Sequence, residues 1–141
     1  MLVSILEEFG CQTGTIHQTG ESGNELHLVA QIGLPEFLLE KVSIIPFGKG
    51  IAGAAAERRE PVELCNLQQD LGGIAKPDAQ KTGVSGSIAV PVIQPLTGKV
   101  IGTLGIGKTT AHEFTPAEKR RLAEHATAIV GIFQHKRIGH D

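Results

Sequence analysis

Two runs limit the fold more than any other part of the chain: GSIAVPVI, Gly86–Ile93, and VIGTLGIGK, Val100–Lys108. Each has strand length and strand composition. Between them lie the six residues QPLTGK, rich in turn formers. A return this short can only be antiparallel, because a parallel return needs a crossover of about a dozen residues or more. In the first strand Ser87, Ala89 and Pro91 alternate with Ile88, Val90 and Val92. Successive strand residues point to opposite faces, so one face is bulky and aliphatic and the other small or polar. In the second strand Ile101, Thr103 and Gly105 alternate with Gly102, Leu104 and Ile106.

This hairpin decides how two glycine patterns should be read. Gly102–Thr109 satisfies G-x-x-x-x-G-K-[ST], and Gly48–Gly53 satisfies G-x-G-x-x-G. A P-loop must open a helix at its Gly-Lys-Thr. Here Thr109, Thr110, Ala111, His112, Glu113 and Phe114 follow, which are poor helix material, and the strand before them is antiparallel. A dinucleotide fold needs several parallel βαβ units, whereas the rest of this chain reads as hairpins. We therefore read Gly102, Gly105 and Gly107 as strand glycines. Those of GKGIAG read as turn glycines at a crowded helix start, whose N-terminus can hold an anion.

The remaining elements follow from periodicity. Leu2, Ile5, Leu6 and Phe9 mark a short helix capped by Gly10. Thr13–Thr19 and Leu26–Gly33 form a first hairpin around GESGNE, with Leu26, Leu28 and Ala30 expected on one face. PEFLLEKV is a helical turn, Ile51–Arg59 a short helix stopped by Pro61, and Pro61–Asn66 a strand. The stretch from Leu67 to Gly83 reads as a polar loop. Thr115-Pro116-Ala117-Glu118 combines a capping box with proline at the first helical position. That helix is expected to reach about Arg137, with Leu122, Ala126, Ile129 and Phe133 as its core stripe and Ala128 and Ile132 as a second contact surface.

Composition removes several function classes. The 141 residues include five Phe and no Tyr or Trp, so base-stacking platforms are scarce. The net charge of −2 gives no electrostatic case for nucleic acid. No apolar run has membrane-spanning length. The opening MLVSILEEFG lacks the basic residues of a signal peptide, so a cytoplasmic protein is expected. Cys11 and Cys65 fit neither a disulfide framework nor a zinc spacing. His17 and His27 stand near each other across the first hairpin, but no third ligand has sensible spacing, so the histidines read as surface residues and no metal is expected. Lys119, Arg120, Arg121, Lys136 and Arg137 read as the solvated face of the last helix.

Taken in order, ILEEFGCQTGTIHQ, ELHLVAQIGLP, IPFGKGIAGAAAERREPVELCNL, GSIAVPVI, VIGTLGIGK and FTPAEKRRLAEHATAIVGIF resemble a GAF domain, a small-molecule sensor module of PAS-like architecture. The resemblance runs from about Leu2 to Phe133 and makes residues 1–141 a single domain. It implies an α+β fold with a central antiparallel sheet of five or six strands. The terminal helices lie on one face, and a pocket lies under short helices and loops on the other. The bulky strand set then faces the helices, and Ser87, Ala89, Thr103 and Gly105 face the pocket. Phe47, Cys65, Asn66 and Asp70 occupy positions where GAF ligands are commonly touched. No NKFDE-like motif of the cyclic-nucleotide type is present, and neither cysteine has the histidine neighbour of a bilin site.

The function so implied is non-enzymatic: a sensory or regulatory domain that binds a small molecule, leaves its cofactor unspecified, and signals through its terminal helices, as a homodimer or to a partner protein. One alternative is a thiol-dependent reductase similar to free methionine-(R)-sulfoxide reductase. Members of that enzyme family place three cysteines around the pocket, and this chain would rely on Cys65. Another is a ligand-free dimerisation or interaction module.

Overall fold

The structure is a computed structural model that describes the backbone of residues 1–64 and 85–140, with side chains through residue 133. Its elements are α1 (Leu2–Phe9), β1 (Thr13–Thr19), β2 (Glu25–Ile32), α2 (Glu36–Val42), β3 (Ile44–Pro46), α3 (Gly50–Arg58), β4 (Val62–Leu64), β5 (Gly86–Ile93), β6 (Val100–Lys108) and α4 (Pro116–His140). The strands form one six-stranded sheet in the order β3-β2-β1-β6-β5-β4, antiparallel at every pairing. Both edge strands have only three residues, which keeps exposed ladder groups few.

The terminal helices share one face of the sheet. Leu2, Ile5, Leu6 and Phe9 of α1 and Leu122, Ala126, Ile129, Val130 and Phe133 of α4 form one buried cluster with Ile16, Ile88, Val90, Val92, Leu104 and Ile106. The bulky set of β5 therefore faces the helices, as its alternation requires. Each helix ends or begins where its residues dictate. Gly10 takes a left-handed conformation (φ 65°) and closes α1. At α4 the Glu118 N–H donates to Thr115 Oγ1 (3.1 Å) and the Thr115 N–H to Glu118 Oε1 (2.9 Å), the two arms of a capping box. Arg121 clamps α4 to α1 through both oxygens of Glu8, at 2.8 and 3.2 Å, and its guanidinium holds that carboxyl below the usual range.

Two expectations need correction. Leu26, Leu28 and Ala30 do not share a face. Ile16 pairs with Ala30 but His17 pairs with Leu28, so Val29 is an inserted bulge residue that reverses the alternation. Ala30 packs with the terminal-helix core, while Leu28 lies opposite His17 on the other face. His17 and His27 do stand near each other: His27 pairs with Gln18, the next residue along β1, and after burial its charge helps to lower the His17 pKa. And His17 is not a surface residue, being 1% exposed.

The glycine patterns resolve into packing. β6 runs unbroken through Lys108 between two antiparallel neighbours, and the next helix begins at Pro116, so there is no P-loop. At Gly102 a Cβ would collide with the His17 carbonyl and lie 2.8 Å from the Phe133 ring, so only glycine fits. At Gly53 a Cβ would stand 2.5 Å from the Pro46 carbonyl. Beside Gly48 sits the carboxylate of Glu57, which disfavours an anion at this turn.

Candidate binding site

The face opposite the terminal helices carries small and polar side chains in three cross-strand rows. Thr13, Gly107 and Ser87 form the first, Thr15, Gly105 and Ala89 the second, and His17, Thr103 and Pro91 the third. Period two on β1, β6 and β5 places all nine on one side, because Ile16, Leu104 and Val90 between them point into the helical core. Two short helices border this floor. α3 packs against it through Ala54 and Ala55, which form a small cluster with Val62 and Ala89. Alanines let that helix approach closely. On the other side α2 ends beside His17, whose ring bonds the Val42 carbonyl.

Hydrogen bonding on the floor is uneven. Ser87 Oγ donates to the Ile106 carbonyl at 3.3 Å. Thr19 Oγ1 donates to the Val100 carbonyl at 3.0 Å. At Gly105 an added Cβ would lie 3.0 Å from Thr15 Oγ1, so glycine there leaves room for that hydroxyl. The third row differs. Among the described residues, the buried side-chain atoms with no hydrogen-bond partner are His17 Nδ1 and Thr103 Oγ1, and these two residues are a direct cross-strand pair. Each residue is 1% exposed. An unpaired buried polar atom costs about 1–3 kcal/mol, so two side by side are a substantial expense at one spot.

The protonation of His17 follows from its partner. A carbonyl only accepts, so Nε2 carries the proton in the 2.9 Å contact with Val42, and Nδ1 offers a lone pair. Burial holds the imidazole below its ordinary pKa, outweighing the Val42 bond, which pulls the other way. The ring is thus neutral near pH 7.

Of the residues singled out by sequence, the structure brings Ser87, Ala89, Thr103 and Gly105 onto this floor. Phe47 is half-buried in the connection from β3 to α3, off the central strands, with its N–H on the Asn24 carbonyl. Cys65, Asn66 and Asp70 lie outside the described residues, as does the loop from Leu67 to Gly83. Sequence reasoning missed His17. Its signal was available: Thr13, Thr15 and His17 alternate with Gly14 and Ile16, the same pattern that located Thr103. Cys11 packs against the terminal-helix core instead, and burial pushes its thiol up to about 11. Among the described residues no three His, Cys, Asp or Glu side chains gather as a metal site.

The sequence matches the GAF domain family over residues 1–133. No curated protein matches it. Among solved structures, the GAF domain of a phosphoenolpyruvate-protein phosphotransferase from Coxiella burnetii superposes with a TM-score of 0.81 at 22% identity, covering 98% of this chain and 80% of that one. Free methionine-R-sulfoxide reductase from Neisseria meningitidis, solved with its substrate, gives 0.78 at 21% identity, covering 98% and 76%. A domain described as part of a two-component sensor histidine kinase protein from Sinorhizobium meliloti gives 0.75 at 19% identity, covering 99% and 90%. At these identities the likeness is one of fold, and the fold hosts both sensors and an enzyme.

Proposed function

The chain belongs to the GAF domain family, and we propose that residues 1–141 form a single, non-enzymatic sensory or regulatory domain. In this reading it binds a small molecule on the floor between α2 and α3. Ser87, Ala89, Thr103 and Gly105 line the site with His17, and Phe47, Cys65, Asn66 and Asp70 supply further contacts. The observation that carries the reading is the buried, unpaired pair His17 Nδ1 and Thr103 Oγ1. Buried polar atoms are paired in the great majority of cases, so a neighbouring unpaired donor and acceptor call for a partner, which in this reading a bound molecule supplies. Around them the floor mixes small residues with the hydroxyls of Thr13, Thr15 and Ser87, and a few placed polar groups are what fix a small molecule's orientation.

The output in this reading passes through α1 and α4 or to a partner protein. Val29, Ile132 and Met1 leave apolar surface exposed at a groove between the terminal helices and β2, which supports contact with a second copy of the chain. A ligand moves such an assembly only by binding one of its states better than another. We read the domain as cytoplasmic, with neither nucleic acid nor membrane as partner. The net charge of −2 and the few aromatics favour the first exclusion. No helix among the described residues is long and apolar enough to cross a membrane.

Native mass spectrometry of freshly purified protein tests the proposal against the denatured mass. A retained small molecule is expected, and the same spectrum separates monomer from dimer. A bare mass, together with no shift in melting temperature across a metabolite panel, would favour the ligand-free interaction module. The reductase reading keeps one specific support: free methionine-R-sulfoxide reductases are among the solved structures of the same fold. Sulfoxide reduction that disappears in Cys65→Ser would establish that reading instead.

A further inference from the structure

We propose that His17 and Thr103 form a bidentate anchor for an uncharged ligand that presents an N–H donor beside a carbonyl acceptor, the edge of an amide or lactam. This rests on the small-molecule reading of the same floor and specifies its chemistry. Three observations combine. The Nε2 proton of His17 is committed to the Val42 carbonyl at 2.9 Å, so the buried Nδ1 can only accept. Thr103 Oγ1, on the residue directly opposite, is equally buried and can donate. Directly opposed strand residues hold their Cβ atoms about 4.5–5.5 Å apart, close enough for one ligand edge to meet both side chains. The donor–acceptor order is therefore fixed: ligand N–H to His17, ligand C=O from Thr103.

Charge selects against ionic alternatives. The three rows of the floor contain threonine, serine, glycine, alanine, proline and a neutral histidine, and no charged side chain. A carboxylate brought to these two atoms would lose hydration with no cationic side chain among the described residues of the three rows to replace it. A carboxylate would also set an acceptor against the Nδ1 lone pair. An amide edge meets both atoms with matched polarity.

The test uses the full chain labelled with 15N-histidine, refolded from denaturant to strip retained molecules. Its probes are 2-pyrrolidone, N-methyl-2-pyrrolidone, which lacks the donor, and acetate. Four results are expected. The spectrum shows His17 protonated on Nε2. 2-Pyrrolidone moves the Nδ1 resonance in the direction of an accepted hydrogen bond. It also binds at least tenfold better than N-methyl-2-pyrrolidone or acetate. Thr103→Val should weaken 2-pyrrolidone at least fivefold without lowering the melting temperature. Four results would overturn the inference: the opposite tautomer, equal binding of the two lactams, preference for acetate, or a Thr103→Val variant that melts lower because the hydroxyl had an internal partner. The two failures separate in the native spectrum. A retained molecule indifferent to Thr103→Val removes the anchor and leaves the sensor reading; a bare spectrum with no probe bound removes both.

Discussion

The two faces of the sheet follow opposite rules. Under α1 and α4 the central strand positions are filled by Ile16, Ile88, Val90, Val92, Leu104 and Ile106, or by glycines that neighbouring groups crowd, and Phe9, Phe114 and Phe133 pack among them. On the face toward α2 and α3 the same three strands present threonine, serine, alanine, glycine, one proline and one histidine. The first face is complete by itself. The second leaves a donor and an acceptor unpaired on two residues that are each 1% exposed. Period-two alternation makes this division possible, because one strand can serve stability with one set of residues and recognition with the other.

Substitutions on the two faces should therefore differ in kind. Leu104→Ala, at a fully buried position on the helical face, is expected to cost about 2–5 kcal/mol in urea unfolding. A loss well below that range would mean the helical face is not the principal core. Gly102→Ala follows at about 1–3 kcal/mol, since its Cβ has the His17 carbonyl and Phe133 in its way. Because Gly102 backs directly onto His17, that variant should also disturb the opposite face, readable as a shifted His17 resonance.

His17 gives the comparison a pH axis. Its pKa in the folded chain lies below the unfolded value, so the unfolded chain binds more protons as pH falls. Stability is then full above about pH 6.5 and declines below it, by at most about 1.4 kcal/mol per pH unit from this one group. Thermal melts between pH 8 and 5 check the slope. His17→Gln, which keeps a donor for Val42, should flatten it; an unchanged slope would assign the effect to other residues. Thr115→Ala removes one arm of the α4 capping box and should cost about 1 kcal/mol, confined to the helical face and without effect on ligand.

Much of this was legible in the sequence, and the misses have definite causes. The β5–β6 alternation placed Ser87, Ala89, Thr103 and Gly105 together, and Thr115-Pro116 fixed the last helix. The Val29 bulge was not legible, because an inserted residue leaves no compositional trace in LHLVAQI, yet it reverses which residues share a face. His17 was passed over for want of metal-ligand spacing, although its strand carried the alternation already trusted in β5 and β6. Its role depends on a carbonyl 25 residues away, at the end of α2, and only the fold brings that into reach.

The smallest stability effect is the most informative. Refolded, ligand-free Thr103→Val should unfold at the same urea concentration as the parent chain or a higher one, because valine removes a buried hydroxyl that has no partner. The same variant, purified natively, should carry no retained small molecule where the parent chain does. Unchanged or raised stability with lost ligand is the result this account predicts. A midpoint lowered by about 1 kcal/mol or more, the cost of a broken internal hydrogen bond, with ligand retention unaffected, would contradict it.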